Sequence, residues 1–216
     1  MLKFQVPGSL LVSGSSGSGK TRWIHDLLKK DHDLRAGGIA GQGLFEKPFD
    51  NLILFYQQYQ PIYDDIAALF PKAHMSQGVQ WEDVDALDGS LQTCLFLDDM
   101  MSSLADDMRL SDLFTSGRHR LISPFFLVQN LYVQGKAMKG VHRNVNYLLL
   151  FRTPRDARMI AVSNLIHTIC RYVVICMCSS CKYCFRLSTS RCSDVQDLTS
   201  STTLTNVRPN DHIIHC

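Results

Sequence analysis

The residues Gly14-Ser15-Ser16-Gly17-Ser18-Gly19-Lys20-Thr21 match the pattern G-x-x-x-x-G-K-[ST] in full. The chemistry that needs these types at this spacing is the binding of a nucleoside triphosphate. Gly14, Gly17 and Gly19 allow positive φ and close approach of the backbone to phosphates. The loop N–H groups, with the N-terminus of a following helix, make an anion-binding nest. Lys20 would reach the β- and γ-phosphates, and the Thr21 hydroxyl would ligate Mg²⁺.

A second stretch, Thr93-Cys94-Leu95-Phe96-Leu97-Asp98-Asp99, is an apolar run that ends in two carboxylates. Behind a phosphate loop this resembles a Walker B strand. Asp98 would hold Mg²⁺, and Asp99 would orient the attacking water or accept its proton. The plainer alternative is that one of these aspartates caps a helix starting near Met100.

Elements must deliver these groups to one place. Ser9–Val12 reads as a buried strand entering the loop, and Trp23, Ile24, Leu27 and Leu28 repeat at helical spacing after it. Asp31–Asp50, with four glycines in it, reads as an irregular connection. Leu52–Tyr56, Pro124–Asn130 and Tyr147–Phe151 read as further buried strands. Tyr63–Phe70 reads as a short helix stopped by Pro71, and Leu104, Met108, Leu110, Leu113 and Phe114 suggest another. Residues 72–91 are polar and only loosely assigned, and Thr115–Arg120 reads as a turn carrying Arg118 and Arg120. Short apolar strands alternating with helices predict a three-layer α/β fold with a mostly parallel sheet. Such sheets bind ligands at the carboxyl ends of their strands, where Gly14, Asp98, Asp99 and Gln129 all fall.

Composition narrows the classes further. The 216 residues carry a formal net charge of +2, which announces no bulk nucleic-acid binder. No apolar run approaches the roughly 20 residues of a membrane span. The N-terminus has no secretory h-region. These features lead to the expectation of an intracellular protein, in cytoplasm or nucleus, with no membrane partner. Only Cys94 falls in the first 166 residues, whereas seven cysteines crowd the last 50. That break divides an expected core, 1–166, from a Cys- and Ser/Thr-rich tail, 167–216, expected to be poorly structured. Cys176, Cys178, Cys181, Cys184, Cys192, His212 and His215 are metal-ligand types. They lack two separated pairs and a knuckle glycine, so zinc is not expected. Translation of a frameshift or an unspliced intron accounts better for the tail's composition.

The succession GSSGSGKT, YQQYQPIYDDI, LFLDDM, LFTSGRHR, FFLVQN and RNVNYLLLFRTPRD resembles the FtsK/HerA-type packaging ATPases. The likeness is strongest to those of Polinton (Maverick) elements, adintoviruses and poxvirus-like large DNA viruses, over about Pro7–Arg158. It implies a RecA-like phosphate-loop NTPase core that assembles as a homo-oligomeric ring. With ATP and Mg²⁺ as cofactors, such a ring drives double-stranded DNA into a capsid and meets capsid or portal proteins. It further implies that Gln129 senses the γ-phosphate or positions water, that Arg118 or Arg120 is a finger for a neighbour's nucleotide, and that Asn146 lies near the sensor positions. The likeness stops near Ile160, where family members continue with more core. For this chain alone that predicts slow turnover that does not depend on protein concentration. Two rival expectations are a nucleotide-binding remnant without catalysis and an unrelated phosphate-loop enzyme such as a nucleotide kinase.

Overall fold

The computed structural model describes residues 3–37, 43–87 and 89–151, and the backbone of three strands at 172–176, 184–188 and 212–215. Six mutually parallel strands of one sheet lie within residues 3–151: β1 (Leu10–Ser13), β2 (Asn51–Tyr56), β3 (Lys72–Gln77), β4 (Thr93–Asp98), β5 (Ile122–Val128) and β6 (Tyr147–Phe151). Their order is β3-β2-β4-β5-β1-β6. The backbone strands β7 (Tyr172–Cys176), β8 (Cys184–Ser188) and β9 (His212–His215) continue that order. Of these, β7 is parallel to β6, and the last two pairings are antiparallel. The rest of 167–216 lies outside the described residues, and so do Cys178, Cys181 and Cys192.

Strands β1, β2, β4, β5 and β6 are buried on both faces because their side chains alternate between two apolar layers. Leu10, Val12, Leu52, Leu54, Phe96 and Leu127 pack with Trp23, Ile24, Leu27 and Leu28 of α1 (Lys20–Ala36) and with Tyr63 and Ile66 of α2 (Ile62–Ala67). The intervening residues Leu11, Ile53, Phe55, Leu97 and Phe126 face the other way. There they meet Trp81 and Val84 of α3 (Trp81–Asp85), Leu104 of α4 (Met101–Leu104), Leu110 and Phe114 of α5 (Met108–Ser116) and Val141 of α6 (Lys136–Asn144). The result is a helix–sheet–helix sandwich, as the alternation of elements predicts.

Three local expectations are corrected. The stretch 31–50 is not irregular from its start, because α1 runs on to Ala36. Asp31, 6% exposed, accepts from the Phe45 amide and the Arg35 guanidinium, and Arg35 also donates to the Phe45 carbonyl. This tie keeps the last turn of α1 wound while it clamps the returning chain. The loosely assigned 72–91 contains β3 and α3. The turn at 115–120 is the end of α5 followed by one 3₁₀ turn, Gly117–Arg120.

At the amino edge of the sheet Asn146 staples β6 to β1. Its Oδ1 accepts from Ser9 N at 2.9 Å and Ser9 Oγ at 3.0 Å, and its own N–H donates to Ser9 Oγ. Asn146→Ala strands the buried N–H of Ser9, whose hydroxyl keeps the Asn144 carbonyl as acceptor, so urea unfolding should show a loss of about 1–3 kcal/mol. Nucleotide affinity should not change, and a loss of affinity without a loss of stability would contradict this structural role.

Candidate functional site

Three chains leave the carboxyl edge of the sheet almost level with one another. Ser13 pairs with Val128 and Asp98 pairs with Leu127, so Gly14, Asp99 and Gln129 come off neighbouring strands within one residue step. Because β5 lies between β1 and β4, the β1 and β4 axes are roughly 10 Å apart. The loop after β1 must therefore reach across β5, and it does so with glycines at the bends. Gly17 and Gly19 have φ of 72° and 91°, in the left-handed region, with open space where a Cβ would stand. Gly14 is a correction to the expectation of positive φ. Its requirement is steric, since a Cβ there would lie 2.7 Å from Phe151 Cβ and 2.8 Å from Ser18 Oγ.

A cleft of about 410 Å³ opens over this edge, lined by Ser16, Gly17, Lys20, Thr21, Asp98 and Gln129 among others. The N-terminus of α1 points into it without a side-chain cap and without an acidic residue in its first turn. Such an end presents free N–H groups and the positive pole of the helix dipole. Ser18 Oγ is buried without a hydrogen-bond partner among the described residues, a donor that an anion in the loop would satisfy. Lys20, 8% exposed, folds back to donate to the carbonyls of Gly14 at 2.7 Å and Ser15 at 2.9 Å. Burial lowers its pKa, and Asp98 and Asp99 work against that shift.

Opposite the lysine, Asp98 is 3% exposed. Its Oδ2 accepts from Thr21 Oγ1 at 2.7 Å and from the Tyr63 hydroxyl at 2.9 Å. Burial nonetheless pushes its carboxyl above the usual range, with the Thr21 and Tyr63 bonds and the charge of Lys20 opposing. Asp99 takes a backbone φ of 57°, which turns the chain sharply at the end of β4. Its Oδ1 accepts from Gln129 Nε2 at 2.7 Å. Neither aspartate caps α4, whose first flanking residue is Met100, without a side-chain cap. The set therefore fits a triphosphate with a divalent cation. Donors line one wall, two carboxylates stand on the other, and an amide lies between them. Among the described residues no cluster of three or more His, Cys, Asp or Glu could cage a metal. Thr21 and Asp98 are the side chains that would hold a divalent cation together with the oxygens of a bound phosphate.

Ser15, Ser16, Gly17, Ser18, Gly19, Lys20, Thr21, Asp98, Asp99 and Gln129 are thus gathered at one edge. Arg118, Arg120 and Asn146 are not. All three precede a parallel strand, so they lie at the amino edge, roughly 20 Å away along the seven residues of β5. For Asn146 this overturns the expected place beside the sensor positions. Arg120 is tied down by the carbonyls of Val84 and Asp85 and by the Asp85 carboxylate. Arg118 is exposed and makes no side-chain hydrogen bond or ion pair among the described residues. No motif assigns a role to Tyr63 or Gln60, yet Tyr63 donates to Asp98 and Gln60 lines the cleft. The available signal was that a tyrosine in the buried face of a short helix must find a partner for its hydroxyl.

No protein-family model matches the chain, and no curated protein matches it. Among the described residues no helix is long and apolar enough to cross a membrane.

The raised pKa of Asp98 makes a stability prediction. A carboxyl whose folded pKa exceeds its unfolded one binds more protons in the native state, so stability falls as pH rises through that interval. Above it the buried charge is a net cost. In metal-free buffer at neutral pH, Asp98→Asn should therefore raise the melting temperature by a few degrees, at about 2–4 °C per kcal/mol for a chain of this size. The gap should close as acid protonates Asp98 in the parent. A variant that melts lower at neutral pH would contradict this account.

Proposed function

We propose that this chain is a phosphate-loop NTPase that binds ATP with Mg²⁺ and hydrolyses it, and that it works as a subunit of a double-stranded DNA packaging motor. The observation that carries the hydrolytic reading is the convergence of Lys20, the Thr21–Asp98 pair and the Asp99–Gln129 pair on one cleft. The motor, the ring and the RecA-like kinship rest on the resemblance of residues 7–158 to packaging ATPases.

The residues divide the work by position. Lys20 exchanges two loop carbonyls for phosphate oxygens, which are stronger, charge-assisted acceptors. The uncapped N–H groups of α1 take up negative charge at the same place. Thr21 keeps its proton directed at Asp98 while its lone pairs remain free for a cation. When bound at Thr21 and Asp98, Mg²⁺ would neutralise phosphate charge. Gln129 and Asp99 stand together where a water would approach the terminal phosphate. Asp99 takes the proton, and the amide of Gln129 orients either the carboxylate or the water. A carboxylate and an amide placed for water support hydrolysis over transfer to a second substrate, the reading that a nucleotide kinase would require.

Isothermal titration and steady-state hydrolysis test this directly. Lys20→Ala should abolish Mg²⁺·ATP binding. Asp99→Asn should retain binding and lose turnover by about 10²-fold or more. Binding that survives in Lys20→Ala, or full turnover in Asp99→Asn, would refute the assignment.

Arg118 is the better placed finger of the two arginines. It is exposed, without a side-chain partner, and remote from its own cleft, as a group serving a neighbour must be. Arg120→Ala should cost stability instead, through loss of its bonds to the end of α3. Turnover per subunit that climbs with protein concentration and with DNA, and is flattened by Arg118→Ala alone, carries the motor reading. A flat profile with intact binding leaves an ATPase subunit that closes no ring.

A further inference from the structure

Tyr63 is a buried polar group behind the cleft wall that the proposed reaction does not use. It is 1% exposed, and its hydroxyl reaches Asp98 Oδ2 from α2, a different element from the α1 that supplies Thr21. Two donors from two helices thus converge on one oxygen of the carboxylate. They fix the rotation of its plane and leave Oδ1 without a hydrogen bond among the described residues, on a carboxylate that lines the cleft. The ring of Tyr63 does not depend on its hydroxyl for its place. It stacks on Tyr56, with centroids 5.2 Å apart, and meets Tyr59 edge-on at 6.2 Å. The hydroxyl also accepts from Gln60 Nε2 at 3.1 Å, and Gln60 lines the cleft. A chain of donors therefore runs from the cleft rim, Gln60 to Tyr63 to Asp98, and each bond polarises the next.

We propose that Tyr63 is a positioning residue for the divalent cation: its hydroxyl holds the Asp98 carboxylate in the orientation that binds Mg²⁺, and through Gln60 it links that orientation to the segment between β2 and α2. This rests on the reading of the cleft as a Mg²⁺·nucleotide site. A ligating carboxylate that is free to rotate must be ordered when the cation arrives. A hydroxyl that orders it beforehand improves cation affinity without touching the cation. A tyrosine that merely satisfies its own hydroxyl would contribute to stability and leave the metal dependence alone.

The test titrates Mg²⁺ against binding of a fluorescent ATP analogue, in the parent chain, Tyr63→Phe, Asp98→Asn and the double variant. Because phenylalanine keeps the ring in its stack, Tyr63→Phe should fold. Its Mg²⁺ midpoint should rise by about tenfold or more, the usual effect of losing a partner of a ligating group. Metal-free affinity should fall much less. In the Asp98→Asn background the same change should add less than about twofold, because the hydroxyl acts through that carboxylate. Gln60→Ala, at an exposed position, is an independent arm and should shift the midpoint in the same direction by a smaller factor. An unchanged Mg²⁺ midpoint in Tyr63→Phe, or an equal shift with and without Asp98, overturns the inference while nucleotide binding by the parent still stands. A parent chain that binds no nucleotide at any Mg²⁺ concentration overturns the site reading itself, and the inference with it.

Discussion

The buried carboxylate of Asp98 is the constraint on which the rest of the site depends. A charge at 3% exposure is tolerable only with partners, and each partner fixes an element. Thr21 brings the first turn of α1 against the end of β4, Tyr63 brings α2 in from the other side, and Lys20 supplies a compensating charge. The compensation is incomplete, because burial still leaves the carboxyl above its ordinary range. A site built this way is a concentration of unrelieved electrostatic cost, and a cation is the natural agent to relieve it. The same arrangement accounts for the depressed lysine facing it, since both charges sit in a wall of the sheet's apolar end.

The order of the strands gives that constraint its geometry. If β4 adjoined β1, the loop and the carboxylates would crowd a single strand spacing. With β5 between them a gap of roughly 10 Å opens, and the chain leaving β5 places Gln129 inside it. The glycines at 17 and 19 let the loop turn across that gap, and Gly14 lets it leave β1 beneath Phe151. The left-handed turn at Asp99 does the equivalent work on the other wall by aiming the second carboxylate at Gln129 instead of along the strand.

Much of this was legible in the sequence, for physical reasons that also explain the rest. The loop and the strands at 51–56, 93–98, 122–128 and 147–151 announce themselves because strands covered on both faces are continuous apolar runs. In contrast, β3 (KAHMSQ) carries no β-branched residue and is mostly exposed, so it sends no pattern, and only its ladder to β2 makes it a strand. Helix α6 buries Ala137, Met138 and Val141, a short stripe beside Gly135 and Gly140. The stripe is too brief to separate from a loop. The misplacement of Asn146 was avoidable. A residue that precedes a strand parallel to β1 must lie at the edge opposite the Gly14–Thr21 loop, and the same rule places both arginines there. The Tyr63–Asp98 bond, by contrast, joins residues 35 positions apart through the packing of a six-residue helix, and no local pattern encodes it.

The plain chemistry of β3 has a consequence for how the molecule opens. As the end of the sheet order it pairs on one side only, with little apolar surface to hold it down. Opening free energies in a folded protein grade from weakly covered segments to the core. Amide protons of β3 would therefore trade with solvent deuterium well before those of β4 and β5, and the sheet would fray from this margin inward. Since β3 follows directly on α2, the first strand to loosen is tethered to the helix that carries Tyr63. Ligand occupancy at the cleft should be felt as slower exchange along an edge that touches no ligand.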